Sequence, residues 1–403
     1  MQLKQFLGAA LAVVAARAQD APANLTSVLS GNQNLSSLVT LLQSVPDVAE
    51  ALSGASNITL FAPSNDALNA LNSSGVLSSG QEGLVQALLN YHVLIGQFTS
   101  ENITETPAFP ATLLNDTAYA NVTGGQVVEC RAEDDGVYVI SGLKNNATVV
   151  EADLTFDGGV VHVIDSLLTI PPNVSTVAQE ANLTALLGAL NATELTEAVN
   201  TTPDLTIFAP NNAAFQDIAS VLANISVEDA ASVLQYHVIN GTVAYSSTLT
   251  NGSVPTLGGG NITVTIIDGE VFVNRARVIN SDILLSNGVL HVIDSVLSAN
   301  DSSPANGTES DDEPANAYPG ASSASDVPFT SGQPSPTSTN AALTSTTNAV
   351  AEGFPTNTGG TIGDNAAGNP EASSTGSEGA APIQTGAIGA AALFGGAAIF
   401  ANM

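Results

Sequence analysis

The 403-residue chain sets 6 Lys and Arg against 37 Asp and Glu, a formal net charge of −31, and has 4 His, 1 Cys and no Trp. With no basic stripe to neutralise phosphates, the composition argues against nucleic-acid binding and against attachment to anionic lipid through basic residues. Few aromatics argue against a stacking platform for sugars or bases, and one cysteine allows neither an intrachain disulfide nor a cysteine zinc site. Cys130, in the strand-like run QVVECR, reads as a buried small hydrophobe or as a thiol for an intermolecular bridge.

Residues 1–18 read as a secretory signal peptide: Lys4 gives the positive start, 6–16 the apolar stretch, and Ala16-Arg17-Ala18 an A-x-A cleavage site. Three blocks then occur twice in the same order. The first repeat has TLFAPSNDAL at 59–68, YHVL at 91–94 and GGVVHVIDSLL at 158–168; the second has TIFAPNNAAF at 206–215, YHVI at 236–239 and NGVLHVIDSVL at 287–297. Domains are therefore expected over 24–170 and 175–298, each long enough to bury its own core.

Within each repeat, Leu35, Leu38, Val39 and Leu42 have helical spacing, and 181–190 repeats the pattern. A short strand follows at 59–62 and 206–209, stopped by Pro63 and Pro210, which cannot donate to a ladder. Ser64-Asn65-Asp66 and Asn211-Asn212 come next, so Asn65 and Asn212 are expected to cap the following helix. The later part reads as sheet. Ile262, Val264 and Ile266 alternate with Thr263 and Thr265, and Asp268-Gly269 signals a hairpin. Residues 127–132 and 137–140 flank Asp135-Gly136 in the first repeat, which also holds about sixteen extra residues before its last block. The class is α+β, with a largely antiparallel sheet packed against helices.

Residues 299–385 have the Ser/Thr/Pro composition of an O-glycosylated stalk or of a plain disordered tail. The apolar end 386–403 lacks a following Lys or Arg and is preceded by small residues and a polar spacer. That pattern is a GPI-anchor signal, with attachment expected at Ser377 and with Ser374 or Gly376 as alternatives. A tail anchor or a freely secreted form is the other reading. N-x-S/T sequons at Asn24, Asn34, Asn57, Asn72, Asn102, Asn115, Asn121, Asn146, Asn173, Asn182, Asn191, Asn200, Asn224, Asn240, Asn251, Asn261, Asn300 and Asn306 predict a heavily glycosylated surface. The expected place is the outer face of the plasma membrane or the cell wall.

His162 with Asp165 and His291 with Asp294 are candidates for an acid–base pair or metal ligands. Residues three apart on a strand face opposite sides, however, and no hydrolase, zincin or phosphate-loop motif is present. The structural reading has each His bonded to a neighbouring group. Tyr91 and Tyr236 read as buried aromatics with a satisfied hydroxyl. No catalytic residue, cofactor or metal is assigned.

The blocks resemble those of the fasciclin-domain family. T-x-F-A-P-x-N-x-A-F is matched by Thr206, Phe208, Ala209, Pro210, Asn212, Ala214 and Phe215, and by Thr59, Phe61, Ala62, Pro63, Asn65 and Ala67 with Leu68 ending the block. Tyr-His occurs twice, and Asn287, Gly288, His291, Ile293, Asp294, Val296 and Leu297 match the last block. The resemblance implies two tandem fasciclin-like domains, each a β-wedge packed with helices, a role in adhesion or matrix contact, and frequent GPI anchoring. An Asp-Ile pair before the last block, linked to integrin binding in animal members, maps to Asp282-Ile283 and to Asp153-Leu154; the Tyr-His pairs Tyr91-His92 and Tyr236-His237 carry a similar assignment. Anchor signal, stalk and lack of disulfides look fungal. The expected function is non-enzymatic adhesion or cell-wall interaction, with surface, wall or matrix components or a second copy as partner. The alternative is a binding module for a lipid or other small apolar ligand, and an enzyme comes third.

Overall fold

The computed structural model describes residues 23–74, 82–306, 316–336 and 341–344. The segment read as a signal peptide, the apolar end and Ser374, Gly376 and Ser377 lie outside the described residues. Among the described residues no helix is long and apolar enough to cross a membrane.

Domain 1 begins with helices α1 (Leu25–Gly31), α2 (Ser36–Ser44) and α3 (Pro46–Gly54), followed by strand β1 (Ile58–Pro63), α4 (Asn65–Ser74), α5 (Glu82–Tyr91) and β2 (Val93–Ile95). Strands β3 (Glu129–Glu133), β4 (Gly136–Ile140), β5 (Asn146–Phe156) and β6 (Gly159–Ile164) complete it, in the sheet order β2-β1-β6-β5-β4-β3. Domain 2 repeats the plan. It has α6 (Val174–Glu180), α7 (Thr184–Ala192), α8 (Thr196–Thr201), β7 (Leu205–Pro210), α9 (Asn212–Asp217), α10 (Ala219–Leu222), α11 (Val227–Tyr236) and β8 (Val238–Asn240). Then come β9 (Gly252–Pro255), β10 (Asn261–Ile267), β11 (Glu270–Val273), β12 (Ala276–Leu285) and β13 (Gly288–Ile293), in the order β8-β7-β13-β12-β11-β10-β9. Each sheet is antiparallel except at one central pair, β1 with β6 and β7 with β13.

The central strands explain the first and last sequence blocks. Successive side chains of β1 enter different cores: Ile58, Leu60 and Ala62 meet the helices, while Phe61 enters the wedge with Tyr91, Val128, Cys130 and Val139. In β7, Leu205, Ile207 and Ala209 face the helices and Phe208 the wedge. A strand buried on both faces must be apolar throughout, and both are fully buried. The second glycine of the last block is steric: a Cβ at Gly159 or Gly288 would lie 1.9 Å from Ile58 O or Leu205 O across the parallel pair. Cys130 is 1% exposed in the wedge core, so it presents no thiol at the surface.

Three expectations need correction. Asn65 and Asn212 do not cap the helices they begin. Ser64 and Asn211 do that, through Ala67 N and Ala214 N. Asn65 Oδ1 instead accepts from Ser37 N in the first turn of α2, at 2.8 Å, and its amide donates to Gln33 O. Asn212 does the same for Ala185 N of α7, at 3.0 Å, and for Asn182 O. Each side chain thus caps a helix that ended before its own strand began. In the domain 1 hairpin, Glu133 pairs with Gly136, so the turn is Asp134-Asp135 and Gly136 opens β4.

The third correction concerns the segment read as a stalk from 299. Residues 316–336, together with helix α12 (Ala341–Thr344), form a strap across the helical side of domain 2. Tyr318, Val327 and Phe329 pack on its core and Leu343 is 2% exposed. A few apolar anchors spaced among Ser and Pro suffice to dock the segment, and average composition conceals them.

Candidate functional site

The motif histidines sit on β6 and β13, next to a bulge in β5 and β12. Register shifts at Glu151/Leu154 and Asn280/Ile283 turn the backbone, and Asp153 and Asp282 take φ of 61° and 56°. Their amides donate to Nδ1 of His162 and His291, at 3.3 and 3.2 Å. The opposite nitrogen, Nε2, bonds Phe98 O at 2.7 Å and Ala244 O at 2.9 Å. A carbonyl can only accept, so Nε2 carries the proton and Nδ1 is the acceptor. The carboxylates accept from loop serines, Asp153 from Ser100 N and Oγ, and Asp282 from Ser246 N. Thr59 and Thr206 pin the same loops, donating to Gly96 O and Thr242 O and accepting from Phe98 N and Ala244 N. Burial would raise the Asp153 carboxyl, but the Ser100 bonds and His162 outweigh it and leave it below the usual range. Burial lowers His291.

The Tyr-His block closes the other end. Tyr91 Oη donates to Val127 O at 2.9 Å and Tyr236 Oη to Asn261 O at 2.7 Å. His92 bonds Leu88 O through Nδ1 and accepts Leu168 N at Nε2; His237 bonds Val233 O and accepts Leu297 N. Burial lowers both pKa values to about 4. Asp165 accepts Thr148 N, and Asp294 accepts Arg277 N, with burial raising the Asp294 carboxyl. All four histidines spend both ring nitrogens on backbone groups, leaving none poised over a nucleophile. Among the described residues no group of three or more His, Cys, Asp or Glu is placed to hold a metal ion.

Burial also decides what these residues can offer a partner. Tyr91, His92, Tyr236 and His237 are at most 2% exposed, and Asp282 and Ile283 are 3% and 0% exposed. The expectation that they form a contact surface is corrected: they face cores and, for Asp282, the joint between domains. Asp153 and Leu154 are half-buried.

The joint is the feature the motifs do not reveal. The extra residues of domain 1 build it. Asn121 donates its amide N to Ser286 O and its Nδ2 to Thr201 O, while Ser286 N donates to Pro172 O. Thr123 N and Oγ1 donate to the two carboxylate oxygens of Asp204, at 2.7 and 2.5 Å. Gln126 Nε2 donates to Leu285 O at 3.0 Å. Phe109 stacks on Tyr245 at 4.2 Å and 9°, beside Val127, Leu284 and Val289. Behind this seam Lys144 and Arg131 face buried Glu129 at 4.0 and 3.8 Å, and burial raises that carboxyl. Arg275 and Arg277 face Asp301 and Asp294. Arg131 also pairs with surface Glu133 at 2.8 Å, so each of these four cations lies within 4.0 Å of an acid. The length difference between repeats is the signal that marks this joint in sequence.

The Fasciclin domain pattern matches residues 33–171 and 181–299. The chain belongs to the fasciclin-domain family. A fasciclin-like arabinogalactan protein of Arthroderma benhamiae is 37% identical over 314 residues, covering 77% of this chain and 74% of that protein. Fasciclin-like arabinogalactan protein elcF of Phaeosphaeria nodorum is 32% identical, over 68% of this chain and 88% of its own length. Among solved structures, a FAS1 domain pair from the insect cell adhesion molecule Fasciclin I is 20% identical, covers 68% of this chain and 99% of that one, and gives a TM-score of 0.33. The fasciclin blocks therefore coincide with the histidine, tyrosine and asparagine clamps described above.

The sequons fall mostly on the outside of the two fasciclin domains. Asn24, Asn34, Asn57, Asn102, Asn115, Asn146, Asn173, Asn182, Asn191, Asn224, Asn240, Asn251, Asn261, Asn300 and Asn306 are exposed, while Asn121 and Asn200 are half-buried with their amides in use. The side chain of Asn72 is outside the described residues.

Proposed function

We propose that this chain is a non-enzymatic extracellular adhesion or cell-wall protein, presenting two fasciclin domains as one unit from a GPI anchor. The observation that carries the reading is the commitment of every motif histidine, tyrosine and asparagine to internal bonds, which leaves an exterior lined with exposed sequons to make contacts. The joint supports it, since a seam with direct hydrogen bonds and an aromatic stack passes load between domains. Kinship with fasciclin-like arabinogalactan proteins agrees with a surface role. The mechanism is multivalent contact, in which tethering raises the effective concentration so that weak single contacts suffice. Digestion of intact cells with a GPI-specific phospholipase tests the anchored presentation: the chain is expected in the supernatant, and its retention on the cells would remove the anchor.

One observation favours the second reading. Domain 2 holds an apolar cavity of about 70 Å³ between helices and sheet, lined by Val174, Leu186, Leu190, Leu205, Leu234 and Leu257 among others. Ligand pockets run to roughly 300–1,000 Å³, so this cavity admits a small apolar fragment and no whole lipid chain without opening. Titration with a fluorescent fatty acid separates the readings: saturable binding abolished by Leu190→Trp would favour the ligand module.

A further inference from the structure

We propose that a cleft beside α7 in domain 2 seats the first sugar of an N-glycan carried by Asn182, and that this sugar clamps the end of the strap. The inference rests on the extracellular reading, because sequons are used only in exported chains.

The cleft holds about 200 Å³. That is room for roughly six waters at ~30 Å³ each, the scale of one sugar ring, and it falls short of the roughly 300–1,000 Å³ of ordinary ligand pockets. Its apolar lining includes Ile279, Val292 and Leu343, and its polar lining includes Asn182, Asn211 and Thr344. A sugar presents an apolar ring face and a rim of hydroxyls, and this lining answers both. Asn211 spends Oδ1 on Ala214 N, and its Nδ2 has no partner among the described residues.

The occupant is identified by the wall it hangs from. Asn182 heads the triplet Asn-Leu-Thr and is itself part of the lining. Its side chain is exposed and makes no hydrogen bond among the described residues. Its main chain is held on both sides: Asn182 N donates to Gln179 O at 3.1 Å, and Asn182 O accepts from Asn212 Nδ2 at 2.8 Å. A sugar on this residue starts from a fixed root at the cleft and loses little freedom on entering it. Glycosylation joins Asn182 Nδ2 to C1 of the first N-acetylglucosamine of a lipid-diphosphate-linked oligosaccharide; the lipid diphosphate leaves, and Nδ2 loses one proton and keeps one N–H.

Domain 1 carries the same sequon without the strap. Asn34-Leu35-Ser36 leads into α2 as Asn182-Leu183-Thr184 leads into α7. A Cβ at Gly188 would lie 1.9 Å from Phe329 O, so only glycine lets the strap backbone seat on α7, and the aligned residue of α2 is Thr40. Ile279 is 4% exposed, whereas the aligned Val150 is 58% exposed, so this side of domain 1 stays open.

The end of the strap is the part that needs a clamp. Helix α12 has four residues, too few to be stable alone. Leu343 is its one buried residue, and Asn280 Nδ2 ties it to β12 through Ala342 O and Leu343 O, at 2.8 and 3.2 Å. Leu343 and Thr344 form one wall of the cleft, so a sugar seated there covers the flank of α12 that domain 2 leaves open.

The test compares the full chain exported with its glycans and the same chain made in bacteria without them, each as wild type and as Asn182→Gly. Glycine accepts the φ of 56° at this position, so the backbone is kept. Glycopeptide mapping should find Asn182 occupied. Hydrogen exchange over residues 341–344 should be about tenfold slower in exported wild type than in exported Asn182→Gly, the effect of one or two added hydrogen bonds on local opening. Trimming by an endoglycosidase to one N-acetylglucosamine per site should keep the protection, and exported Asn34→Gln should keep it too. The two bacterial chains should exchange alike. An empty Asn182 beside an occupied Asn34 overturns the proposal. So does equal exchange in the exported pair, loss of protection on trimming, or a difference that persists between the bacterial chains. An exported chain without glycan at any site would overturn the extracellular reading as well.

Discussion

Acid should unlock both domains through His92 and His237. Each ring donates from Nδ1 to a helix carbonyl and accepts a backbone N–H at Nε2, so only the neutral ring fits. Their folded pKa values of about 4 lie below the ordinary 6.5. Between those values the unfolded chain binds more protons than the folded one, so stability falls as pH falls. The contribution is complete above 6.5, is lost progressively down to about 4, and is flat below. Integrated from pH 7 to pH 5, it amounts to about 2 kcal/mol per histidine. Glu129 and Asp294, raised by burial, oppose the trend by gaining protons in the fold, and Asp153, held low, adds to it near its unfolded pKa. The comparison must therefore be made between chains. Urea unfolding of wild type and of His92→Gln/His237→Gln at pH 7, 6 and 5 is the assay, because glutamine supplies one donor and one acceptor without titrating. The wild type should lose about 4 kcal/mol more than the double variant over that range. Parallel pH slopes would refute the reasoning.

Asn65→Ala or Asn212→Ala should each cost about 1–2 kcal/mol in thermal or urea unfolding, since each removes a cap and a tie between separate helices; a neutral result would deny the long-range capping. Glycopeptide mapping should find Asn121 unmodified while Asn57, Asn102 and Asn240 carry glycans, because Asn121 Nδ2 is spent on Thr201 O in the joint. An occupied Asn121 would contradict the seam. Tyr245→Asp, placing a charge beside Phe109 and Val289, should open the joint and raise the radius of gyration in solution scattering with each domain still folded; an unchanged radius would show that the seam does not hold the pair.

The repeats, the central strands and the late hairpins are legible in sequence because they obey local rules: apolar runs where both faces are buried, proline at strand ends, Asp268-Gly269 at a turn. The motif histidines are legible as structural because they sit in apolar runs and belong to no hydrolase or zincin motif. What sequence does not show is what those blocks bond to. Asn65 stands at a helix start, and only the packing of α4 against α2 turns its side chain to an earlier helix. Asp282 has the polarity of a surface residue, yet the bulge and domain 1 bury it. The strap is hidden for a third reason: Phe329 and Leu343 dock through a few spaced contacts on a glycine-opened helix, which no local period reveals.

The most direct test of the central claim is a cell-aggregation assay on cells carrying the chain, cells lacking it, and cells stripped by a GPI-specific phospholipase. The account predicts aggregation with the chain present, and its loss on both deletion and stripping. Equal aggregation in all three populations would contradict a role in adhesion.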